Sequence, residues 1–147
     1  MSMFDNVAPG PDKKLRGVVD WRMKVLVLFG TRPEAIKLAP VVHELRKRFF
    51  QTIVVSSSQH KQILKPFLET LKVDVDFDLS IMRRNQSLNE VCSRVMAKLD
   101  KILDHEQPDL ILVQGDTTTA LAGALAGFNR KIPVGHVEAG LRSGNLM

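Results

Sequence analysis

Short apolar runs alternate with amphipathic stretches along the chain from Met23 onward. Five segments have the length and apolar character of buried strands: 24–29, 52–57, 75–79, 110–113 and 132–138. Four segments between them carry apolar residues at helical spacing: 35–49, 63–71, 88–103 and 117–128. Uninterrupted apolar strands are typical of parallel sheets that helices cover on both faces. With right-handed crossovers, the pattern predicts an α/β fold, namely a doubly wound, Rossmann-like parallel sheet.

Residues 1–22 differ from the rest because they mix proline, glycine and charged residues without any period. They contain no apolar core of the kind found in secretory signals, so we interpret them as a leader or flexible extension before a domain at 23–147. No apolar run approaches the roughly 18 residues of a membrane span, so no membrane partner is expected. The single cysteine, Cys92, cannot form an internal disulfide. A reducing compartment, and hence a cytoplasmic location, is the simplest expectation.

The chain carries 21 basic and 16 acidic residues, which gives a formal net charge of +5. An excess of this size attracts anions. The cations are spread along the sequence, and there are no tyrosines and one tryptophan. A nucleic-acid surface would show a basic stripe with interleaved aromatic residues. The composition therefore favours a small phosphorylated ligand over nucleic acid.

The carboxyl ends of parallel strands meet at one edge of the sheet, where ligands bind in this fold class. A glycine, Gly30, follows the first predicted strand, and Thr31 and Glu34 then have the spacing of a helix capping box. N–H groups at this helix start, together with Arg32, could hold a phosphate or a sugar hydroxyl, and Lys37 lies one turn further on. The alternative is a capped helix with a solvated Arg32 and a surface pair between Glu34 and Lys37. The GxGxxG motif of dinucleotide sites is absent, so NAD is not expected.

Two carboxylates lie at this edge: Asp116 follows the fourth predicted strand, and Glu138 is the last residue of the fifth. A carboxylate in that place can give or take a proton. Asp116 could instead cap the helix that follows it, and Glu138 could instead pair with Arg142. His136, on the fifth predicted strand, is interpreted as a hydrogen-bonded interior residue.

Gln59 and His60 open the second predicted helix, again at this edge. They could line a ligand site or form an ordinary polar helix start. The four histidines lie far apart, and no Cys/His pair has the spacing of metal ligands. We therefore expect no metal site.

The sequences of the segments at this edge resemble those of the non-hydrolysing UDP-N-acetylglucosamine 2-epimerases. The resemblance extends over 23–144 in five segments in the family's order and spacing: FGTRPEAIKLAPVVHELRK, SSQHKQIL, FDLSIM, PDLILVQGDTTTALAGALAGF and IPVGHVEAGLRSG. The combination of GTRPEAIK, GDTTT and GHVEAGLR is highly specific.

The resemblance implies the N-terminal half of a two-domain enzyme of the GT-B type, with its active site in the cleft between the domains. Such enzymes interconvert UDP-N-acetylglucosamine and UDP-N-acetylmannosamine by anti elimination of UDP to a 2-acetamidoglucal and its re-addition. By motif, Asp116 and Glu138 are the catalytic carboxylates. The motifs also imply contacts to the substrate from four residues: Arg32, Lys37, Gln59 and His60. No redox cofactor or metal is implied, and a homodimer through the N-terminal domain is expected.

The family pattern continues beyond residue 147 into a second domain that supplies most uridine contacts. We therefore expect little or no epimerase activity from this chain alone. Some bacterial members use the substrate as an allosteric effector, through a Gln-x-x-Gln segment and a nearby arginine. Gln59 and Gln62 fit that spacing, but Asn85 stands where the arginine is expected.

Two alternatives remain open. A GT-B glycosyltransferase or a hydrolysing epimerase relative would share the architecture, although neither accounts as well for GDTTT and GHVEAGLR together. A non-catalytic fragment that binds a UDP-sugar weakly is the other alternative.

Overall fold

The computed structural model describes residues 23–57, 61–140 and 142–144. Its elements, in chain order, are β1 (Lys24–Phe29), α1 (Arg32–Lys47), β2 (Gln51–Ser56), α2 (Lys61–Leu71), β3 (Phe77–Asp78), α3 (Leu88–Glu106), β4 (Leu110–Gln114), α4 (Thr118–Asn129) and β5 (Val134–Val137). The expected leader at 1–22 and two expected site residues, Gln59 and His60, lie outside the described residues. Gln62 lies within α2, but its side chain is also outside the described part.

The five strands form one sheet in the order β3-β2-β1-β4-β5, and every neighbouring pair is parallel. β1 lies at the centre, with Phe29 opposite Ser56 of β2 and Val27 opposite Leu112 of β4. The chain moves outward from β1 to β3, returns through α3 to the other side of β1, and then moves outward again to β5. The predicted doubly wound, Rossmann-like parallel sheet is confirmed.

Alternate residues of β1 point into two separate cores. Leu26 and Leu28 pack on the face that α3 and α4 cover. Val25, Val27 and Phe29 pack on the opposite face, against α1 and α2. Because both faces are covered, all five of these side chains are at most 1% exposed. The continuous apolar run of β1 is the direct sequence signature of this arrangement.

The third strand is much shorter than the sequence predicts, two residues instead of the segment 75–79. Asp76 accounts for the difference, since its Oδ2 accepts a hydrogen bond of 2.7 Å from the backbone N–H of Val54. That carboxylate takes the place of a backbone acceptor at the sheet edge. Aspartate is also depleted in strands, and every second residue from Asp74 to Asp78 is one.

In the described part of the chain, no helix combines the length and the apolarity that a membrane crossing requires. The expected cytoplasmic location stays a prediction.

Candidate active site

Three turns converge at the carboxyl ends of β1, β4 and β5. The strand order reverses at β1, because the chain runs to β2 on one side and to β4 on the other. Ligands of open α/β sheets bind at such a switch point. A cavity of about 240 Å³ lies there, and its wall includes Lys37, Gln114, Asp116, His136 and Glu138.

The β1–α1 turn is organised around the carboxylate of Glu34. Its Oε2 accepts hydrogen bonds from the backbone N–H groups of Gly30 (3.0 Å) and Thr31 (2.7 Å) and from the Thr31 hydroxyl (2.7 Å). Its Oε1 accepts a fourth bond, of 2.7 Å, from the hydroxyl of Thr117 at the start of α4. Glu34 is 1% exposed. The alternative of a surface pair between Glu34 and Lys37 is therefore wrong.

The β4–α4 turn presents Asp116. Gly115 adopts φ 69°, a left-handed conformation that glycine tolerates without steric cost. Thr117 is the N-cap of α4, and its hydroxyl accepts the Ala120 N–H at 3.1 Å. Asp116 is consequently not the helix cap, so the capping alternative is wrong. Asp116 is exposed on the cavity wall, and its carboxylate has no hydrogen-bond or ion-pair partner among the described residues.

Glu138 follows β5 directly and adopts φ 63°, which is unusual for a residue with a side chain. Its Oε2 accepts hydrogen bonds from the ammonium group of Lys37 and from the amide of Gln114. The alternative pairing with Arg142 is wrong, because the ion pair of Glu138 is with Lys37, and the Arg142 guanidinium donates to the carbonyl oxygen of Ala139 at 2.8 Å. Glu138 is thus held by a cation from α1 and an amide from β4.

His136 lies beside Asp116 on the cavity wall. Its Nε2 is 2.6 Å from the carbonyl oxygen of Gly115, so the expected hydrogen bond exists. Its expected interior location is wrong, because the side chain is exposed.

Arg32 does not line this cavity. Its guanidinium carbon lies 5.7 Å from the ring centroid of Phe67 on α2, a cation–π arrangement. The structure thus brings Lys37, Asp116 and Glu138 together and places Arg32 to one side, over Phe67 in the second half of α2.

Three features of the site are not predicted from the sequence. They are the set of four hydrogen bonds that Glu34 accepts, the bond from Gln114 to Glu138, and the bond from Thr117 to Glu34. A signal for Gln114 exists, since it is a polar residue at the end of the apolar run LILV and is only 4% exposed. The capping-box spacing correctly links Thr31 to Glu34. It contains no sign of the bond to Thr117, which is 83 residues away in sequence.

Besides the buried Glu34, the cavity wall carries two exposed carboxylates, Asp116 and Glu138, together with Lys37 and Arg142. Two carboxylates on one cavity can act as acid and base toward a bound ligand. The Lys37 ammonium lies where it can also bind an anion. Within the described ranges, no group of three or more metal-binding side chains is present.

Comparison with known proteins gives the same family from sequence and from structure. The sequence model described as UDP-N-acetylglucosamine 2-epimerase matches residues 43–147. The chain belongs to the UDP-N-acetylglucosamine 2-epimerase family. The epimerase of Escherichia coli K12 is 52% identical over 125 residues, which cover 84% of this chain and 33% of that protein. The epimerase of Bacillus subtilis is 49% identical with the same coverage.

Solved epimerase structures have the same fold. The Neisseria meningitidis UDP-GlcNAc 2-epimerase bound to UDP-GlcNAc is 50% identical with a TM-score of 0.81, covering 84% of this chain and 34% of that one. A Methanocaldococcus jannaschii UDP-GlcNAc 2-epimerase in complex with UDP-GlcNAc and UDP is 39% identical with a TM-score of 0.79, covering 84% and 34%. A Streptomyces glycosyltransferase at 18% identity and TM-score 0.59 shares the fold alone, in keeping with the expected GT-B-type architecture.

The chain spans about a third of the length of these epimerases. Every feature of the candidate site described above belongs to that third.

Proposed function

We propose that this chain provides the carboxylate-bearing wall of a site that interconverts UDP-N-acetylglucosamine and UDP-N-acetylmannosamine. The observation that carries the proposal is the convergence of Asp116, Glu138 and Lys37 on one cavity at the switch point of the sheet. The relative from Neisseria meningitidis, 50% identical, is bound to UDP-GlcNAc, which supports a UDP-sugar as the ligand.

The proposed chemistry needs a base for the weakly acidic proton at C2 of the sugar and electrostatic support for the departing diphosphate. The C2 proton moves to a carboxylate, the C1–O bond breaks with its electron pair on UDP, and a 2-acetamidoglucal forms. Addition of UDP to C1 and of a proton to the opposite face of C2 completes the epimerisation. We assign the C2 proton to Asp116, because its carboxylate accepts no hydrogen bond from a described residue, whereas Oε2 of Glu138 accepts two, from Lys37 and Gln114.

The cavity is open to solvent on this chain, with Asp116 and Glu138 exposed. Water in the site weakens the electrostatic interactions on which elimination depends. We therefore expect the chain alone to bind a UDP-sugar weakly and to turn it over slowly or not at all.

The proposal is tested by incubating the chain with UDP-GlcNAc in D₂O at high protein concentration. Proton NMR follows the C2–H signal, and chromatography separates UDP-GlcNAc from UDP-ManNAc, free UDP and free sugar. Any exchange at C2 should fall by about 100-fold or more in Asp116→Asn and Glu138→Gln, in line with the usual contribution of a general acid or base. Asp100→Asn, on the outer side of α3, is the matched control and should exchange like the original chain.

Each alternative has its own signature in this experiment. Release of free sugar with UDP would indicate a hydrolysing enzyme. Transfer of the sugar to an acceptor would indicate a glycosyltransferase. Saturation-transfer NMR showing binding without C2 exchange would support a non-catalytic UDP-sugar-binding role. Neither binding nor exchange would contradict the proposal for this chain.

We also propose that a second copy of the chain covers the outer face of α4. Leu121, Leu125 and Phe128 are 57%, 40% and 78% exposed and form one stripe at helical spacing. Contiguous exposed apolar side chains of this kind mark interaction surfaces. An effector site at Gln59 and Gln62 stays a prediction.

A further inference from the structure

Glu34 is the one charged residue among the buried polar side chains of the described part of the chain. No lysine or arginine of the described part pairs with it. Its two oxygens instead accept four hydrogen bonds, three from the β1–α1 turn and one from Thr117. Removing a carboxylate from water costs several kcal/mol, so four donors are needed to offset that burial.

Capping of α1 does not require this burial. α3 begins with the same capping box, in which Glu90 accepts the Ser87 N–H at 2.7 Å. The Glu90 side chain is 51% exposed, and its hydrogen bonds stay within the first turn of α3 and to Arg94 in the next. The hydrogen bond that Thr117 donates to Glu34 therefore does something other than start a helix.

That bond joins the two turns that carry the candidate catalytic groups. Thr117 accepts the Ala120 N–H and donates to Glu34, so its single hydroxyl proton has a fixed direction. Asp116 is the residue directly before Thr117. Lys37 lies on α1 one turn after Glu34 and holds Glu138. The distance between the starts of α1 and α4 consequently sets the distance between the Lys37–Glu138 pair and Asp116.

The charge of Glu34 matters as well as its length. The N-terminal ends of α1 and α4 both carry partial positive charge, which stabilises an anion between them. A glutamine has the same length, but its NH₂ group cannot accept a hydrogen bond from Thr117 or from the backbone N–H groups. An aspartate keeps the charge but is one methylene too short to reach both turns.

We propose that Glu34 is a positioning residue, whose buried carboxylate holds Asp116 at a fixed place relative to the Lys37–Glu138 pair. This inference rests on the proposed epimerase function, because the groups that Glu34 positions are the proposed catalytic groups. The coupling between the two turns can be measured without any ligand. Glu34 makes no hydrogen bond to Lys37, Asp116 or Glu138, although it lines the same cavity.

The ligand-free experiment uses NMR of the whole chain, with the Lys37 Nζ and Asp116 Cγ resonances as reporters, because Glu34 contacts neither group. Glu34→Gln and Thr117→Val should displace both reporters, whereas Thr117→Ser, which keeps the hydroxyl, should restore them. Glu106→Gln is the matched control. Glu106 accepts from Lys24 at the opposite end of β1 at 3.1 Å, so its loss weakens the fold without touching the site. The control should leave both reporters in place.

The ligand experiment measures the affinity of each variant for UDP-GlcNAc by saturation-transfer NMR. Glu34→Gln and Thr117→Val should each weaken binding by about tenfold, equivalent to the loss of about 1.4 kcal/mol. The double variant should be no worse than either single one, because both remove the same link.

Reporters that stay in place in both Glu34→Gln and Thr117→Val would overturn the positioning role. So would a displacement of the same size in Glu106→Gln. If Glu34→Gln does not fold, the comparison of Thr117→Ser with Thr117→Val decides alone. If the original chain binds no UDP-GlcNAc, the proposed function loses its support, while the ligand-free reporters still decide the role of Glu34.

Discussion

Glu138 combines a strained backbone with a charged, hydrogen-bonded side chain. A residue with a Cβ in the left-handed region costs on the order of 1–2 kcal/mol relative to ordinary conformations. The bonds from Lys37 and Gln114 hold the carboxylate against that strain. Strain of this kind persists where the surrounding structure over-determines a residue, which is common at functional sites. Six other described residues with side chains also have positive φ, but Glu138 is the one of the seven that lines the candidate cavity.

Gly123 is required by the close approach of α4 to the sheet. A Cβ at this position would lie 2.6 Å from Cδ2 of Leu28 and 2.9 Å from Cγ1 of Val113, both fully buried neighbours. Gly123→Ala should therefore lower the free energy of unfolding by about 1–3 kcal/mol, although alanine is the better helix former.

Denaturant unfolding followed by circular dichroism measures this change. Gly140→Ala is the matched control, because a Cβ there meets nothing within 4 Å and the residue is exposed. A Gly123→Ala variant as stable as the control would contradict the close packing of α4 on β1.

At the scale of elements, α3 and α4 are joined on their outer side by Arg130. Its guanidinium, just beyond the last residue of α4, donates to Asp100 and Asp104 on α3. The hydrogen bond from Arg130 lowers the pKa of Asp100, and the same two carboxylates raise the pKa of Arg130. This ion-pair network links the two helices that cover one face of the sheet.

The pH dependence of this link follows from the direction of the Asp100 shift. A carboxyl whose folded pKa is depressed contributes stability above its unfolded pKa, here 3.8, and loses it as pH falls through the folded value. Arg130→Gln should therefore slightly lower the Tm at neutral pH, and the difference from the original chain should vanish well below pH 3.8.

Thermal unfolding across the acid range provides the measurement. Arg48→Gln is the control, since Arg48 pairs with Glu44 of α1 next to it and links no second element. Its Tm should change less at neutral pH. A Tm difference for Arg130→Gln that persists unchanged in strong acid would show that the side chain acts through packing instead of charge.

At the scale of the whole molecule, the features that follow from the chain's periodicity can be predicted from sequence. The continuous apolar runs of β1 and β4 predict a parallel sheet, and a parallel sheet places Asp116 and Glu138 at one edge. Features that join distant turns cannot be predicted in this way. The bond between Thr117 and Glu34 spans 83 residues, and neither residue differs in type from an ordinary helix cap.

Local ambiguity accounts for the other differences. Asp116 and Thr117 are both good N-cap residues, and only the backbone geometry decides that Thr117 is the cap. Arg32 is flexible and charged, so its position over Phe67 depends on where α2 packs. Lys37 could have paired with Glu34 on its own helix. Because Glu34 is buried, Lys37 pairs with Glu138 instead.

The outer face of α4 provides a test of how the chain associates. If a second copy covers Leu121, Leu125 and Phe128, the chain should elute with about twice its mass of 16.5 kDa in size-exclusion chromatography with light scattering. Replacing Leu125 and Phe128 together by serine should give a monomer, because the apolar area that drives association is removed. Phe49→Ser is the matched control, since Phe49 is 74% exposed but lies beyond the end of α1, on the other side of the sheet.

Three outcomes distinguish the possible occupants of this face. A dimer that dissociates only in the α4 variant supports a second copy. A chain that is monomeric at every concentration, with both variants equally monomeric, contradicts it. In that case the face is left for the part of the longer family members that this chain does not span, and supplying that part should then protect the α4 amides from hydrogen exchange. A dimer lost equally in Phe49→Ser would place the contact elsewhere, because the two apolar sites lie on opposite sides of the sheet.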